Sequence, residues 1–214
     1  MRLVLPRLYV ILDSSLLTTP VQDCAQDLAA AGVRLLQYRN KTGSVRTALA
    51  DCRELVAAMK PLKVSVVMND RADLAALCDA DGVHVGQDDL SVEQVRGIVG
   101  KQKWVGVSTH NLEQIRTAAE TSADYIAVGP IFGTTSKMNP DPVVGLELIR
   151  EARRLTDKPI VAIGGITLER AASIIEAGAN CVAVISDILR AEQPGKRAAE
   201  YVALLGAAGR SAKV

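Results

Sequence analysis

Aromatic residues are nearly missing from this chain. One tryptophan, one phenylalanine and four tyrosines make up 3% of its 214 residues, too few for a platform that stacks nucleic-acid bases. An excess of either charge is missing too: 25 basic against 24 acidic residues leave a net charge of +1, which gives no sign of a surface for nucleic acid or an anionic membrane. No apolar run approaches the ~20 residues that span a bilayer. Met1–Leu12 is short and broken by Arg2, Pro6 and Arg7, unlike a signal peptide. Cysteine pairs are absent: Cys24, Cys52, Cys78 and Cys181 lie far apart with no CxxC. Free, buried thiols in a reducing cytosol are therefore expected, and with them a cytoplasmic protein. Neither nucleic acid nor membrane is an expected partner.

What is present is a cadence. Short Val/Ile/Leu-rich runs recur at Leu8–Leu12, Val33–Arg39, Lys63–Asn69, Gly82–Gly86, Trp104–Ser108, Tyr125–Pro130, Pro159–Gly165 and Cys181–Ser186. Several are apolar almost without interruption, as in strands covered on both faces. Ala-rich segments between them look helical. Ala72–Cys78 is just long enough for a crossover helix, and Val45, Leu49, Cys52, Val56 and Met59 alternate spacings of four and three along one predicted helical face. Asn111 with Gln114 predicts a capping box, and Thr167 predicts an N-cap. Gly32, Gly82 and Gly178 fall where a helix gives way to a strand, a place for left-handed backbone. Eight strand–helix units, hydrophobic residues at 49% and no linker predict one α/β domain over residues 1–214, a (β/α)₈ TIM barrel. A Rossmann fold is disfavoured, because no GxGxxG follows the first run.

In such a barrel the residues just past the C-terminal strand ends form the active face. The second run ends Gln37-Tyr38-Arg39-Asn40-Lys41, with Gln37, Arg39 and Lys41 pointing one way. A strand burying that trio needs a ligand or carboxylates to compensate. The third run ends at Asn69 and Asp70, the fourth at Gln87 and Asp89, and the fifth at Ser108 and His110. Asp70 and Asp89, with no packed partner evident in the sequence, suit Mg²⁺, which takes one or two carboxylates plus water and substrate phosphate; alternatively both cap the following helices. After the sixth run, residues 131–142 form the longest loop, with Thr134, Thr135, Ser136 and Lys137 placed to wrap an anion or, on the bland reading, simply to meet solvent. Gly164-Gly165 and Ile185-Ser186 match the phosphate site common after strands 7 and 8, unless the glycines serve only the turn. The charged set suits a pyrophosphate and the neutral set a monophosphate. Together they imply group transfer with pyrophosphate leaving. His84 and His110 are expected to serve in structure or hydrogen bonding, and Trp104 and Tyr125 to pack the lower end.

These motifs resemble the thiamine phosphate synthase (thiamine-phosphate pyrophosphorylase) family across nearly the whole chain. The resemblance is carried by Gln37–Lys41, Asn69-Asp70-Arg71, Ala80–Gln87, Gly106–His110, Gly129–Phe132, Ala162–Ile166 and Val184-Ile185-Ser186. It implies a transferase of thiamine biosynthesis that joins a pyrimidine diphosphate to a thiazole phosphate. Carried over residue by residue, it implies Arg39, Lys41, Asn69 and Lys137 on pyrophosphate and Mg²⁺ on Asp70 and Asp89. Gln37 and Ser108 would meet the pyrimidine and its departing diphosphate, with Ser108 and Lys137 as the catalytic pair. Thr134 and Ser136 would line a lid, and Gly165, Ile185 and Ser186 would bind the thiazole phosphate. The lid departs from the usual Thr-x-Thr-Lys by having Ser136, which keeps the hydroxyl and loses a methyl. A homodimer is a family-level expectation. A thiazole tautomerase on the same barrel is the nearest rival, but it has no use for the diphosphate apparatus. A catalytically dead sensor of thiamine phosphates is the other rival, separable by magnesium-dependent turnover.

Overall fold

A computed structural model describes residues 5–134 and 141–211. Eight strands alternate with helices: β1 (Leu8–Asp13), β2 (Leu35–Arg39), β3 (Ser65–Asn69), β4 (Gly82–Val85), β5 (Trp104–Thr109), β6 (Tyr125–Val128), β7 (Ile160–Ile163) and β8 (Cys181–Val184). Each pairs in parallel with the next, and β8 returns to β1 through Leu8 opposite Val182, so the sheet closes into a barrel as expected. The helices are α1 (Val21–Ala30), α2 (Val45–Met59), α3 (Ala72–Leu77), α4 (Val92–Val99), α5 (Leu112–Glu120), α6 (Gly145–Leu155), α7 (Leu168–Glu176), α8 (Ser186–Leu189) and α9 (Pro194–Ser211).

Period-two alternation divides the strands between two cores. Outward residues such as Val10, Leu12, Leu36, Val66 and Val83 pack under the helices. Inward residues, among them Tyr9, Leu35, Val67, Tyr125, Ala127, Val161 and Ala183, fill the barrel. Both faces are therefore buried, which is why the runs are so uniformly apolar. The alanines inside leave room for the rings of Tyr9 and Tyr125, which meet edge to face with centroids 6.3 Å apart. Gly106 serves the same end: a Cβ there would lie 2.1 Å from Tyr125 Cζ.

Local expectations fare unevenly. Gly32 and Gly178 have positive φ (96° and 113°), but Gly82 does not. The left-handed residue before β4 is Asp79 (φ 56°), and Gly82 is small because a Cβ would stand 2.6 Å from the Trp104 carbonyl oxygen. On α2 the buried face is Ala48, Cys52, Leu55 and Met59. Leu49 and Val56 flank it, while Val45 in the first turn remains 52% exposed. Asn111 caps α5 by accepting from Gln114 N at 2.9 Å, but Gln114 Oε1 accepts from His110 N rather than from Asn111, displacing the box by one residue. Thr167 sits at the N-cap of α7, but its side chain makes no capping hydrogen bond to the helix backbone. A reciprocal box does form at Ser91 and Gln94, opening α4. All four cysteines are free and buried, as expected.

Candidate active site

The C-terminal strand ends surround a cavity of about 480 Å³. Gln37, Arg39, Lys41, Asn69, Asp70, Asp89, Ser108, Thr134, Gly165, Ile185 and Ser186 all line it, so the fold brings these sequence-selected residues to one space. Ser136 and Lys137 lie outside the described residues.

One wall is charged. Lys41 on the β2–α2 loop forms an ion pair with Asp70, the partner that sequence spacing did not reveal. Asp70 takes left-handed backbone (φ 60°) just past β3, and its N–H donates to His84 O at 2.7 Å. Burial raises its carboxyl above the usual carboxylate range; Lys41 pulls it back, and the nearby Asp89 pushes it up again. Asp89 Oδ2 accepts from Gly86 N at 2.8 Å. Neither acid caps a helix: the N-cap of α3 is Arg71, and α4 is capped by Ser91. The capping alternative therefore fails for both. Among the described residues no three His, Cys, Asp or Glu side chains cluster in a metal-holding group. Two adjacent carboxylates, with an ammonium already drawn to one of them, could still hold a hard cation that completes its shell with water and phosphate.

Arg39 pairs with Asp13, the last residue of β1. Asp13 is buried and also accepts from Ser15 N and Oγ at 3.0 and 2.6 Å. It is the compensating carboxylate that the β2 trio requires, one residue past the apolar run Leu8–Leu12. The two are opposite one another in register.

The floor is polar and hydrogen-bonded. Gln37 Nε2 donates to the Tyr9 hydroxyl at 2.8 Å, and the Tyr9 and Tyr125 hydroxyls are 3.3 Å apart. Tyr125 OH lies 3.1 Å from His84 Nδ1, and His84 Nε2 lies 2.9 Å from Ser108 Oγ. Burial raises both phenols well above their ordinary range. His84 thus has the hydrogen-bonding role expected of it, whereas Tyr125 does more than pack: its ring starts low in the barrel and its hydroxyl reaches the floor. His110 is structural in the same sense, with Nδ1 2.5 Å from Gly129 O and Nε2 3.5 Å from Asp141.

The opposite wall carries few charges. Gly164 and Gly165 have φ of 100° and 61°, and Cβ atoms there would meet Pro130 Cα at 2.5 Å and Gly133 O at 2.3 Å. The glycines are thus required by the close approach of the β6–α6 loop as well as by the turn. Phe132 N donates to Gly164 O at 3.0 Å, and Arg170 donates to Gly165 O at 2.9 Å while its guanidinium lies over the Phe132 ring. Ser186 opens α8, where Ile188 N and Leu189 N donate to the N-cap carbonyl of Ile185 at 3.2 and 2.9 Å.

A family model described as thiamine monophosphate synthase matches residues 8–188. The chain belongs to the thiamine monophosphate synthase family. A thiamine-phosphate synthase of Koribacter versatilis is 53% identical over 210 residues, spanning 95% of this chain and 97% of that one. The Myxococcus xanthus thiamine-phosphate synthase is 42% identical over 195 residues, covering 91% of this chain and 89% of its own length. Among solved structures, a thiamine phosphate pyrophosphorylase from Pyrococcus furiosus superposes with a TM-score of 0.86 at 29% identity, covering 94% of this chain and 96% of that one. Membership in the thiamine monophosphate synthase family therefore extends through all eight strands. Among the described residues no helix is long and apolar enough to cross a membrane.

Proposed function

We propose that this chain transfers the 4-amino-2-methylpyrimidin-5-ylmethyl group from its diphosphate to the ring nitrogen of thiazole phosphate, releasing pyrophosphate and forming thiamine phosphate. The supporting observation is one cavity with two unlike anion walls: Arg39, Lys41, Asp70 and Asp89 on one side, Gly165 and Ser186 on the other. Arg39, Lys41 and Asn69 hold the diphosphate, and Lys137, by resemblance, joins them. Asp70 and Asp89 fit Mg²⁺, which when bound offsets charge on the departing pyrophosphate. Gln37 and Ser108 receive the pyrimidine and the oxygen it leaves behind. Gly165, Ile185 and Ser186 hold the thiazole phosphate; Thr134 lines the same cavity, and Ser136, by resemblance, joins it.

The aminopyrimidine donates electrons toward its CH₂ group, so the bond to the diphosphate oxygen breaks with carbocation character. Basic side chains already in place stabilise the charge gathering on that oxygen. The thiazole nitrogen, positioned through its phosphate, then forms the new C–N bond, with proximity supplying much of the acceleration. That nitrogen has no proton to lose, so no general base is needed. The enzyme works in this reading as one cytoplasmic domain over residues 1–214, with a homodimer as the family-level expectation. The test mixes purified protein with both substrates and Mg²⁺ and follows both products. Thiamine phosphate and pyrophosphate should appear in equal amounts, and both should vanish with EDTA. Binding of thiazole phosphate without either product would sink the proposal.

A further inference from the structure

The floor of the cavity contains five hydroxyl, amide and imidazole groups in an unbroken series, and the orientation of the Gln37 amide sets its direction. An amide nitrogen can only donate, so the Gln37 Nε2 contact with Tyr9 OH at 2.8 Å makes Tyr9 an acceptor. Tyr9 is 1% exposed, and burial keeps its own proton in place. That proton needs an acceptor, and the Tyr125 oxygen 3.3 Å away supplies it. Tyr125, also fully buried, must then place its proton on His84 Nδ1 at 3.1 Å. A neutral imidazole with Nδ1 accepting carries its proton on Nε2, which donates to Ser108 Oγ at 2.9 Å. Ser108 Oγ accepts from His84 and keeps its own proton available to the cavity it lines. In the opposite tautomer Tyr9 would receive bonds from both neighbours and bury its own proton without a partner, at a desolvation cost.

The geometry points to His84 as a positioning residue that, held by Tyr9 and Tyr125 in its Nε2-protonated tautomer, sets the Ser108 hydroxyl as a hydrogen-bond donor toward the substrate. Ser108 and His84 therefore do not form a nucleophile–base couple despite their spacing, because Nε2 already bears a proton. The acceptor is a substrate atom with a lone pair, either a diphosphate oxygen or a pyrimidine ring nitrogen. Rotating the Gln37 amide would reverse every bond in the series, so the sense of the relay is an observable property. The catalytic half of the inference rests on the proposed place of Ser108 at the substrate; the tautomer does not.

Nitrogen-15 NMR of the full chain labelled at histidine reads the tautomer without substrate. The chain has two histidines, so loss of one set of signals in His84→Gln assigns the other. The expected spectrum has His84 Nδ1 unprotonated and Nε2 protonated. Tyr125→Phe keeps the ring and removes the donor, so the His84 signals should shift toward a tautomer mixture. Its kcat should fall about tenfold, with KM for thiazole phosphate changed less than about twofold. Tyr9→Phe should produce a smaller fall, because Tyr125 can still donate to Nδ1. In a Ser108→Ala background Tyr125→Phe should add nothing. An Nδ1-protonated His84 in the wild-type protein would overturn the inference, as would an equal loss from Tyr125→Phe with and without Ser108. A wild-type rate in Ser108→Ala with Nε2 protonated would instead remove Ser108 from the substrate and leave the tautomer standing, so the two failures are distinguishable.

Discussion

Asp70 shows what the site demands of a single residue. Its carboxylate is held near Asp89 in a largely buried position, and burial together with Asp89 outweighs the help that Lys41 gives. An acid whose folded pKa is raised destabilises the fold once it ionises, since the native state then binds more protons than the unfolded state across that interval. The metal-free protein therefore carries a cost at neutral pH that a bound cation would relieve. Asp70→Asn should melt at or above the wild-type temperature in EDTA while losing magnesium-dependent turnover; a lower melting temperature in EDTA would contradict this account. The acid itself was legible in the sequence, because it follows an apolar run and strand ends face the active side. Its partner was not. Lys41 reaches Asp70 across two adjacent strands, and Asp13 reaches Arg39 in the same way. Such pairs depend on the register of a closed sheet, which no local spacing encodes.

Elements were legible where burial is simple and obscure where neighbours decide. Eight strands and their helices follow from apolar runs and Ala-rich spacing, whereas the capping box expected at Asn111 and Gln114 forms instead at Ser91 and Gln94. The rotation of the buried face of α2 away from Val45 was not legible, because it depends on how the helix lies over the sheet. Glycine gives the sharpest case. Gly106 stands in mid-strand, where glycine usually weakens pairing, and its reason is the Tyr125 ring arriving from the neighbouring strand. Gly106→Ala should cost about 1–3 kcal/mol, the usual range for overpacking a tight interior, seen as a lower denaturation midpoint at unchanged slope. It should also disturb the floor, since the new methyl would stand 2.4 Å from the Tyr125 hydroxyl. Unchanged stability would mean that the ring is free to move, and the ordered floor would then lose its support.

At the scale of the molecule, closing the barrel separates two kinds of anion site. β2 to β4 supply charge, β7 and β8 supply glycine backbone and a short helix start, and the closed strand order puts them on opposite sides of one cavity. Two phosphorylated molecules can then face each other with their reacting atoms over the polar floor. The barrel and the positions of the strand-end residues followed from chain order, whereas the floor did not, because Tyr9, Tyr125 and His84 come from three strands whose inward sides meet only after closure. We propose that the charged side holds a diphosphate through a metal on Asp70 and Asp89. Calorimetric titration of pyrophosphate into the protein, with Mg²⁺ and with EDTA, tests it directly. Binding should require Mg²⁺ in the wild-type protein, and Asp70→Asn should abolish that requirement or the binding itself. Equal affinity with and without metal, unchanged in Asp70→Asn, would show that the basic residues act alone and that the paired carboxylates serve another purpose.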